Sequence, residues 1–493
     1  MTNIKSYFSA QPTRKKLFVL FIAAFIVRSS VFFFYIQHKE RYKQADSTDY
    51  HNCAYLMRYF HGLQRPDNKE IIFWRTPGYP AFLLPFYYLH ENQDPDFSLF
   101  TPAQKAALWA QIILCSFVPL IIFFLALLLS ASYAIAWLTA WISVIHIGFV
   151  LSATYLLTDG LASLFFYLFL LLYYRSWRVW GESKPIKKAG LILSGAALSL
   201  GAYTWMRPMG IFVAVFSALL LIISNDKVTI KLKKMMLFLI VFFASVSPWY
   251  IRNYHYTGKV FFCPMSGGIL QAFCAPKIIR RIHDVPLEQA TRALYAQVIQ
   301  QAESEEGILK AMGSDVQVSK HLICVDFALP WLLKHPFYAF YDWMVQVFKT
   351  LFDLYSSQLV AFVTNSHTFD PIEEFLTVKI SSCLYATPIP VWMRIISWTE
   401  FFFLLLLWVG LCGGLWLFVF REFYLAYCSK KKVSPATYTW IKTMPMIGAV
   451  TFMTGGFGYA RLRLPVEPLM IILALMFWFY VLGKKQKNGE KLV

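Results

Sequence analysis

The stretch Asp46-Ser47-Thr48-Asp49-Tyr50, with Arg75-Thr76-Pro77-Gly78-Tyr79-Pro80 downstream of it, belongs to a polar passage that runs to His90 in an otherwise apolar chain. It follows directly on residues 17 to 36, an apolar run long enough to cross a bilayer, for which about 20 such residues suffice. Two carboxylates, an arginine and a proline-fixed turn are thus expected where the chain leaves the membrane.

Outward from that passage, 58% of the 493 residues are hydrophobic and only 15% are charged, which excludes an ordinary soluble domain. Further apolar runs at 105–129, 132–150, 160–174, 189–205, 209–223, 235–250, 395–420, 440–456 and 466–482 complete a count of ten spans. The expected fold class is an all-α polytopic membrane protein of about ten transmembrane helices, with external amphipathic juxtamembrane helices and a mixed external region. Its parts are a transmembrane core over 1–250 that includes the external loop 37–104, an external region over 251–394, and C-terminal helices with a basic tail over 395–493.

A net charge of +19 invites a nucleic-acid reading. The Lys and Arg residues concentrate, however, in 1–16, 175–188, 224–234, 421–439 and 483–493, with only Glu182, Asp226, Glu422 and Glu490 against them. That is the positive-inside pattern of a multi-pass protein with both termini cytoplasmic, so the charge reports topology and no nucleic-acid partner is expected. A cell (inner) membrane is the expected location. The leader Arg14-Lys15-Lys16 precedes an apolar run too long for a signal peptide, and no small-residue cleavage site follows it, so an uncleaved anchor is expected. Arg28, inside that run, either faces protein with a partner or snorkels to the interface. Cys263 and Cys274, both on the external side, could form a disulfide if the compartment is oxidising and are otherwise expected unpaired.

Within the key loop, Tyr50, Cys53, Ala54, Met57 and Phe60 follow helical spacing, with Ser47 or Thr48 as cap and Gly62 as stop. Such a helix lies along the membrane surface and does not cross it. Asp46 falls just ahead of it and Asp49 in its first turn, where backbone N–H groups favour the ionised form that a general base needs. Spacing alone does not separate that role from an ordinary helix start. Arg75 precedes a Pro/Gly turn that holds its guanidinium near the interface, and a guanidinium matches a phosphate with paired donors. The run Phe337 to Val363 is aromatic but interrupted by Asp342, Lys349 and Asp353, and is expected on the membrane surface.

Together, Asp46-Ser47-x-Asp49-Tyr50-x-x-x-Ala54 and Arg75-x-Pro77-Gly78-Tyr79-Pro80-x-Phe82-Leu83 resemble the first external loop of the GT-C superfamily of integral membrane glycosyltransferases. The protein mannosyltransferases and aminoarabinose transferases belong to it. Leu157-Thr158-Asp159-Gly160-Leu161, Trp205-Met206-Arg207-Pro208, Pro248-Trp249-Tyr250-Ile251-Arg252-Asn253-Tyr254 and Tyr459-Ala460-Arg461-Leu462-Arg463-Leu464-Pro465 extend the likeness in the expected order. The Asp-Ser at 46–47 departs from the Asp-Glu of the mannosyltransferase branch. The resemblance implies a polyprenyl-phosphate sugar as donor, a lipid, glycan or protein hydroxyl as acceptor, and transfer with inversion on the external face. It points to Asp46 as the catalytic carboxylate, with Asp49 in reserve.

Asp159 is read either as an orienting carboxylate or as a helix cap beside Thr158. Arg75, Arg207, Arg252, Arg461 and Arg463 all fall on the external side and suit the negative charge left on a lipid phosphate. For Arg461 and Arg463 an interfacial anchor pair is the plainer alternative, and Gly455, Gly456 and Gly458 beside them suit a closing lid. No cofactor is called for: there is no His-Glu-x-x-His, Walker loop or dinucleotide fingerprint, although a divalent cation held by Asp46 and Asp49 through water stays open. The rival reading is a transporter or flippase of lipid-linked sugars, which calls for carboxylates inside the spans, where the sequence shows almost none.

Overall fold

A computed structural model describes residues 12–37, 45–59, 63, 72–73, 75–90, 101–181, 186–223, 226–264, 270, 274–311, 316–359, 390–429, 434–454 and 459–489. These residues form helices joined by short turns, with no strand among them. In chain order the helices are α1 (Arg14–Ile36), α2 (Ala45–Tyr59), α3 (Gly78–Leu89), α4 (Pro102–Cys115), α5 (Val118–Ser130), α6 (Tyr133–Ile145) and α7 (Ile147–Thr154). They continue as α8 (Asp159–Gly181), α9 (Ile186–Met206), α10 (Gly210–Leu220) and α11 (Val228–Thr257). Beyond these come α12 (Ala275–His283), α13 (Leu287–Ala311), α14 (Val316–Lys334) and α15 (Pro336–Phe352), and last α16 (Val391–Gly414), α17 (Glu422–Ser429), α18 (Pro435–Thr454) and α19 (Glu467–Gly489).

Each of the ten apolar runs coincides with helical residues; among the described residues, however, a count of ten spans is not confirmed. Six helical stretches have the length and composition to cross a membrane: Arg14–Ile36, Pro102–Ser130, Asp159–Val179, Lys187–Met206, Val228–Thr257 and Val391–Cys428. The α6–α7 pair, bent by 49°, makes up to seven. Gly210–Ile223 and Glu467–Gly483 are shorter apolar helices. At 1.5 Å per residue the first of these reaches only about 21 Å, less than the roughly 30 Å hydrocarbon core. Helix α18 turns Thr437, Thr443, Thr451 and Thr454 into the protein, as a helix packed on protein does.

Local signals explain the ends. Thr101 and Gln104 form a reciprocal capping box at the start of α4, with Pro102 just inside it. The α6–α7 break falls at His146, whose extended backbone (ψ 123°) interrupts the helical bonds. Arg28, wholly buried in α1, meets that break: it donates to the carbonyls of Ala24 at 3.1 Å and Ser143 at 3.4 Å. The charge therefore rests against the carbonyl end of α6, where a helix dipole favours a cation.

Two expectations change in the loop region. Helix α2 begins at Ala45, so Asp46 lies in its first turn and neither Ser47 nor Thr48 precedes it as a cap. Its apolar face packs on protein: Tyr50, Cys53, Ala54 and Leu56 are buried, and Tyr50 meets Tyr79 of α3 edge-on at 5.2 Å. Phe60 and Gly62 lie outside the described residues, as do Gly455, Gly456 and Gly458 of the expected lid and residues 360–363 of the aromatic run. Helix α15 turns its polar residues Asp342, Gln346 and Thr350 inward and presents Phe337, Phe340, Tyr341 and Phe348 outward. Cys263 and Cys274 are not joined to each other by a disulfide.

Candidate active site

The site forms where the start of α2, the turn before α3, the start of α8, the end of α9 and the turn before α19 meet. Gly78 makes the first approach possible: a Cβ there would stand 2.6 Å from the Trp205 carbonyl, closer than real Cβ atoms come. The neighbouring Thr76 hydroxyl donates to the Met206 carbonyl at 3.2 Å. The turn is thereby pinned to the end of α9, and Arg75 points back over α2.

Arg75 bridges both loop carboxylates. Its Nη2 lies 2.7 Å from Asp46 Oδ1 and 2.7 Å from Asp49 Oδ2, and its Nε donates to the same Asp49 oxygen at 3.0 Å. The guanidinium stacks 5.1 Å from the Tyr50 ring centre, which adds a cation–π contact. On the other side Arg461 Nη2 reaches Asp46 Oδ2 at 3.5 Å. Burial works against the charge of Asp46, but Arg75 and then Arg461 outweigh it and hold the carboxyl below the usual range. Asp46 is thus an ionised carboxylate, about a third exposed, between two guanidinium groups.

Asp159, the first residue of α8, is buried and forms an ion pair with Arg207, whose Nε also donates to the Thr158 hydroxyl at 3.4 Å. This pair adjoins the first: the field of Arg207 also acts on Asp46. Arg252, near the end of α11, donates to the Ile72 carbonyl at 3.3 Å. It sits in an aromatic cage of Trp249 at 4.3 Å, Phe73 at 5.0 Å and Tyr256 at 5.3 Å, and among the described residues no carboxylate pairs with it.

Of the residues singled out from the sequence, Asp46, Asp49, Asp159, Arg75, Arg207 and Arg461 come together, while Arg252 donates to the carbonyl of Ile72, three residues before Arg75 in the chain. Arg463 does not join them. It points into the protein, 1% exposed, and binds Glu467 at 2.6 Å. The place between Asp46 and Asp49 that a hydrated cation would take is filled by Arg75 Nη2, and no group of three metal-ligating side chains occurs among the described residues. Tyr50 and Thr158, quoted in the motifs without a role, enter the site: Tyr50 stacks on Arg75 and Thr158 accepts from Arg207. Two buried carboxylates, Glu400 and Glu467, lie within or at the start of apolar helices, where the sequence reading expected almost none.

No family model and no curated protein matches the chain. Among solved structures it is similar to the archaeal oligosaccharyltransferase AglB from Archaeoglobus fulgidus in complex with an inhibitory peptide and a dolichol-phosphate. The TM-score is 0.51 at 12% identity, over 97% of this chain and 52% of that one. The apo form of the Archaeoglobus fulgidus oligosaccharyltransferase matches likewise, with a TM-score of 0.51 at 11% identity over the same shares. ArnT from Cupriavidus metallidurans bound to undecaprenyl phosphate is a looser likeness, with a TM-score of 0.38 at 12% identity over 92% of this chain and 78% of that one. The chain thus spans about half the length of the oligosaccharyltransferases it resembles. The likeness is one of fold: the chain shares a helical, multi-pass architecture with the Archaeoglobus fulgidus oligosaccharyltransferase.

Proposed function

We propose that the chain is a membrane glycosyltransferase that moves a sugar from a polyprenyl-phosphate donor to an acceptor hydroxyl, with inversion. The observation that carries this reading is one ionised carboxylate, Asp46, set among three arginines, Arg75, Arg207 and Arg461, drawn from distant parts of the chain. In the reaction the acceptor oxygen attacks the anomeric carbon as the bond from that carbon to the phosphate oxygen breaks. The hydroxyl proton passes to Asp46, and the electron pair of the broken bond stays on the leaving polyprenyl phosphate. Arginines aimed at that oxygen lower the barrier because its charge grows in the transition state.

The arginines divide by how they are held. Arg75 and Arg207 are tied to carboxylates and shape the base and its surroundings. Arg252, in its aromatic cage, and Arg461, held at only 3.5 Å, have donors to offer a phosphate. The lipid tail would lie against the apolar bundle, and AglB, solved with dolichol-phosphate, supplies a precedent on a shared fold. The expected setting is the external face of the cell membrane. The acceptor is a lipid, glycan or protein hydroxyl. A divalent cation between Asp46 and Asp49 would have to displace Arg75.

One observation favours a transporter: Glu400 and Glu467 are buried carboxylates in helices. Both are committed, however. Glu400 accepts the Tyr355 and Ser356 N–H groups at 2.6 and 2.8 Å, and Glu467 is locked to Arg463, which suits a scaffold better than a proton path. The test is to incubate the purified protein with hexosyl and pentosyl polyprenyl phosphates and follow the freed polyprenyl phosphate by mass spectrometry. Release that depends on Asp46 supports the reading. No release from any donor overturns it.

A further inference from the structure

Beside the Asp46 site lies a second charged cluster, wholly buried, that the proposed chemistry does not use. Arg463 Nε donates to Glu467 Oε2 at 2.6 Å, while its Nη1 donates to the carbonyls of Thr350, Leu351 and Asp353 at 3.2, 2.7 and 3.1 Å. The Tyr355 hydroxyl donates to Glu467 Oε2 at 3.2 Å, and its ring lies 5.0 Å from the Arg463 guanidinium. Glu400 clasps the same segment through the Tyr355 and Ser356 N–H groups. Asp353 Oδ2 in turn accepts the Ala460 N–H at 3.1 Å. Two segments far apart in sequence, 350–356 and 459–467, are therefore bolted together from both sides.

The turn between these bolts carries Arg461. Residues Ala460–Leu462 form a single 3₁₀ turn, in which successive side chains are about 120° apart, so residues two apart point in different directions. Arg463 faces the core and Arg461 faces Asp46. Arg461 is a third exposed and meets Asp46 only at 3.5 Å, so its reach is set by the backbone beneath it. We propose that Arg463, Glu467 and Tyr355 are positioning residues that aim Arg461 at Asp46 by clamping the 459–467 turn to the 350–356 segment. This rests on the Asp46-centred reading for its catalytic consequence, but not for the clamp itself.

The test has two arms. In the first, hydrogen–deuterium exchange compares wild type with Glu467→Gln and with Tyr355→Phe, which keeps the ring and removes only the hydroxyl. Faster exchange in 350–356 and 459–467 together, with the rest of the chain unchanged, is expected for both variants. Unchanged exchange in 459–467 in Tyr355→Phe and in any Glu467→Gln that folds overturns the clamp. The second arm is a double-mutant cycle on transfer. Glu467→Gln is expected to lower kcat roughly 100-fold, the scale of a small misplacement of a catalytic group, with the donor KM little changed. In an Arg461→Gln background it should add almost nothing. The same fall in both backgrounds shows that Glu467 does not act through Arg461 and overturns the positioning role. A wild type without transferase activity instead defeats the proposed function, and the exchange arm still decides the clamp.

Discussion

Arg461 Nη2 lies 3.5 Å from Asp46 Oδ2 although 415 positions separate the two residues in the chain. This contact has a consequence for pH dependence. Asp46 is buried enough to be penalised for its charge, yet Arg75 and Arg461 hold its pKa below the ordinary carboxylate range near 3.9. Its ionised form therefore persists as the pH falls, and the base proposed here is lost only as the pH passes down through that lowered value. The stability drawn from these ion pairs follows the same sign, present at neutral pH and lost in acid. Arg461→Gln removes one of the cations and is expected to move the acid limb of kcat/KM to higher pH. A limb that does not move means that another group titrates there.

Asp46→Asn tests the proposed role of Asp46 as base. Asparagine keeps the size and an acceptor oxygen for Arg75, and Asp49 still holds that arginine through two bonds. The fold should survive, with an unchanged melting profile, while transfer falls by about 10²- to 10⁴-fold, the usual worth of a positioned general base. Asp49→Asn should cost less, because Asp49 meets Arg75 alone among the site cations. Equal losses in the two variants would assign the base to the pair and not to Asp46.

Among the described residues Arg252 meets only neutral acceptors, Asn253 Oδ1 at 2.9 Å and the Ile72 carbonyl at 3.3 Å. Replacing it by alanine is expected to raise the donor KM by about 10- to 100-fold, the weight of a hydrogen bond to a charged group. Arg252→Lys should recover only part of this, since an ammonium lacks the planar fork that stacks in the Trp249, Phe73 and Tyr256 cage. Initial rates over a donor concentration series separate KM from kcat. A fall in kcat alone would place Arg252 away from the donor.

The hydropathy pattern placed each of its ten runs on helical residues because burial in lipid or protein needs the same residues, and for that reason it does not by itself fix the number of spans. Pattern alone does not tell α18, with its buried threonines, from a helix facing lipid. Asp46, Asp49 and Arg75 were legible because their motifs lie close together in one loop. Arg461 and Arg463 were not separable, since spacing of two in an irregular turn does not reveal which side chain faces the core. Glu400, Glu467, His146 and Tyr355 belong to no motif. His146 Nε2 sits 3.4 Å from Glu467 Oε1 only because a helix break and a distant turn meet in three dimensions.

Gly78 is where the fold and the site depend on the same atom's absence. An added Cβ would lie 2.6 Å from both the carbon and the oxygen of the Trp205 carbonyl and 3.0 Å from the Met206 nitrogen, and backbone at the end of a packed helix cannot give way as a side chain tip can. Gly78→Ala must therefore push the start of α3 away from α9. The Thr76 bond to Met206 stretches, and Arg75, three residues ahead, shifts off Asp46 and Asp49. The strain should cost about 1–3 kcal/mol of stability, as overpacking does. The loss of transfer should exceed what that destabilisation explains, because folded molecules carry a displaced Arg75. Measuring kcat on the folded fraction, alongside the denaturation midpoint, separates the two effects. Full activity per folded molecule would show that the turn before α3 does not set the geometry of the carboxylate site.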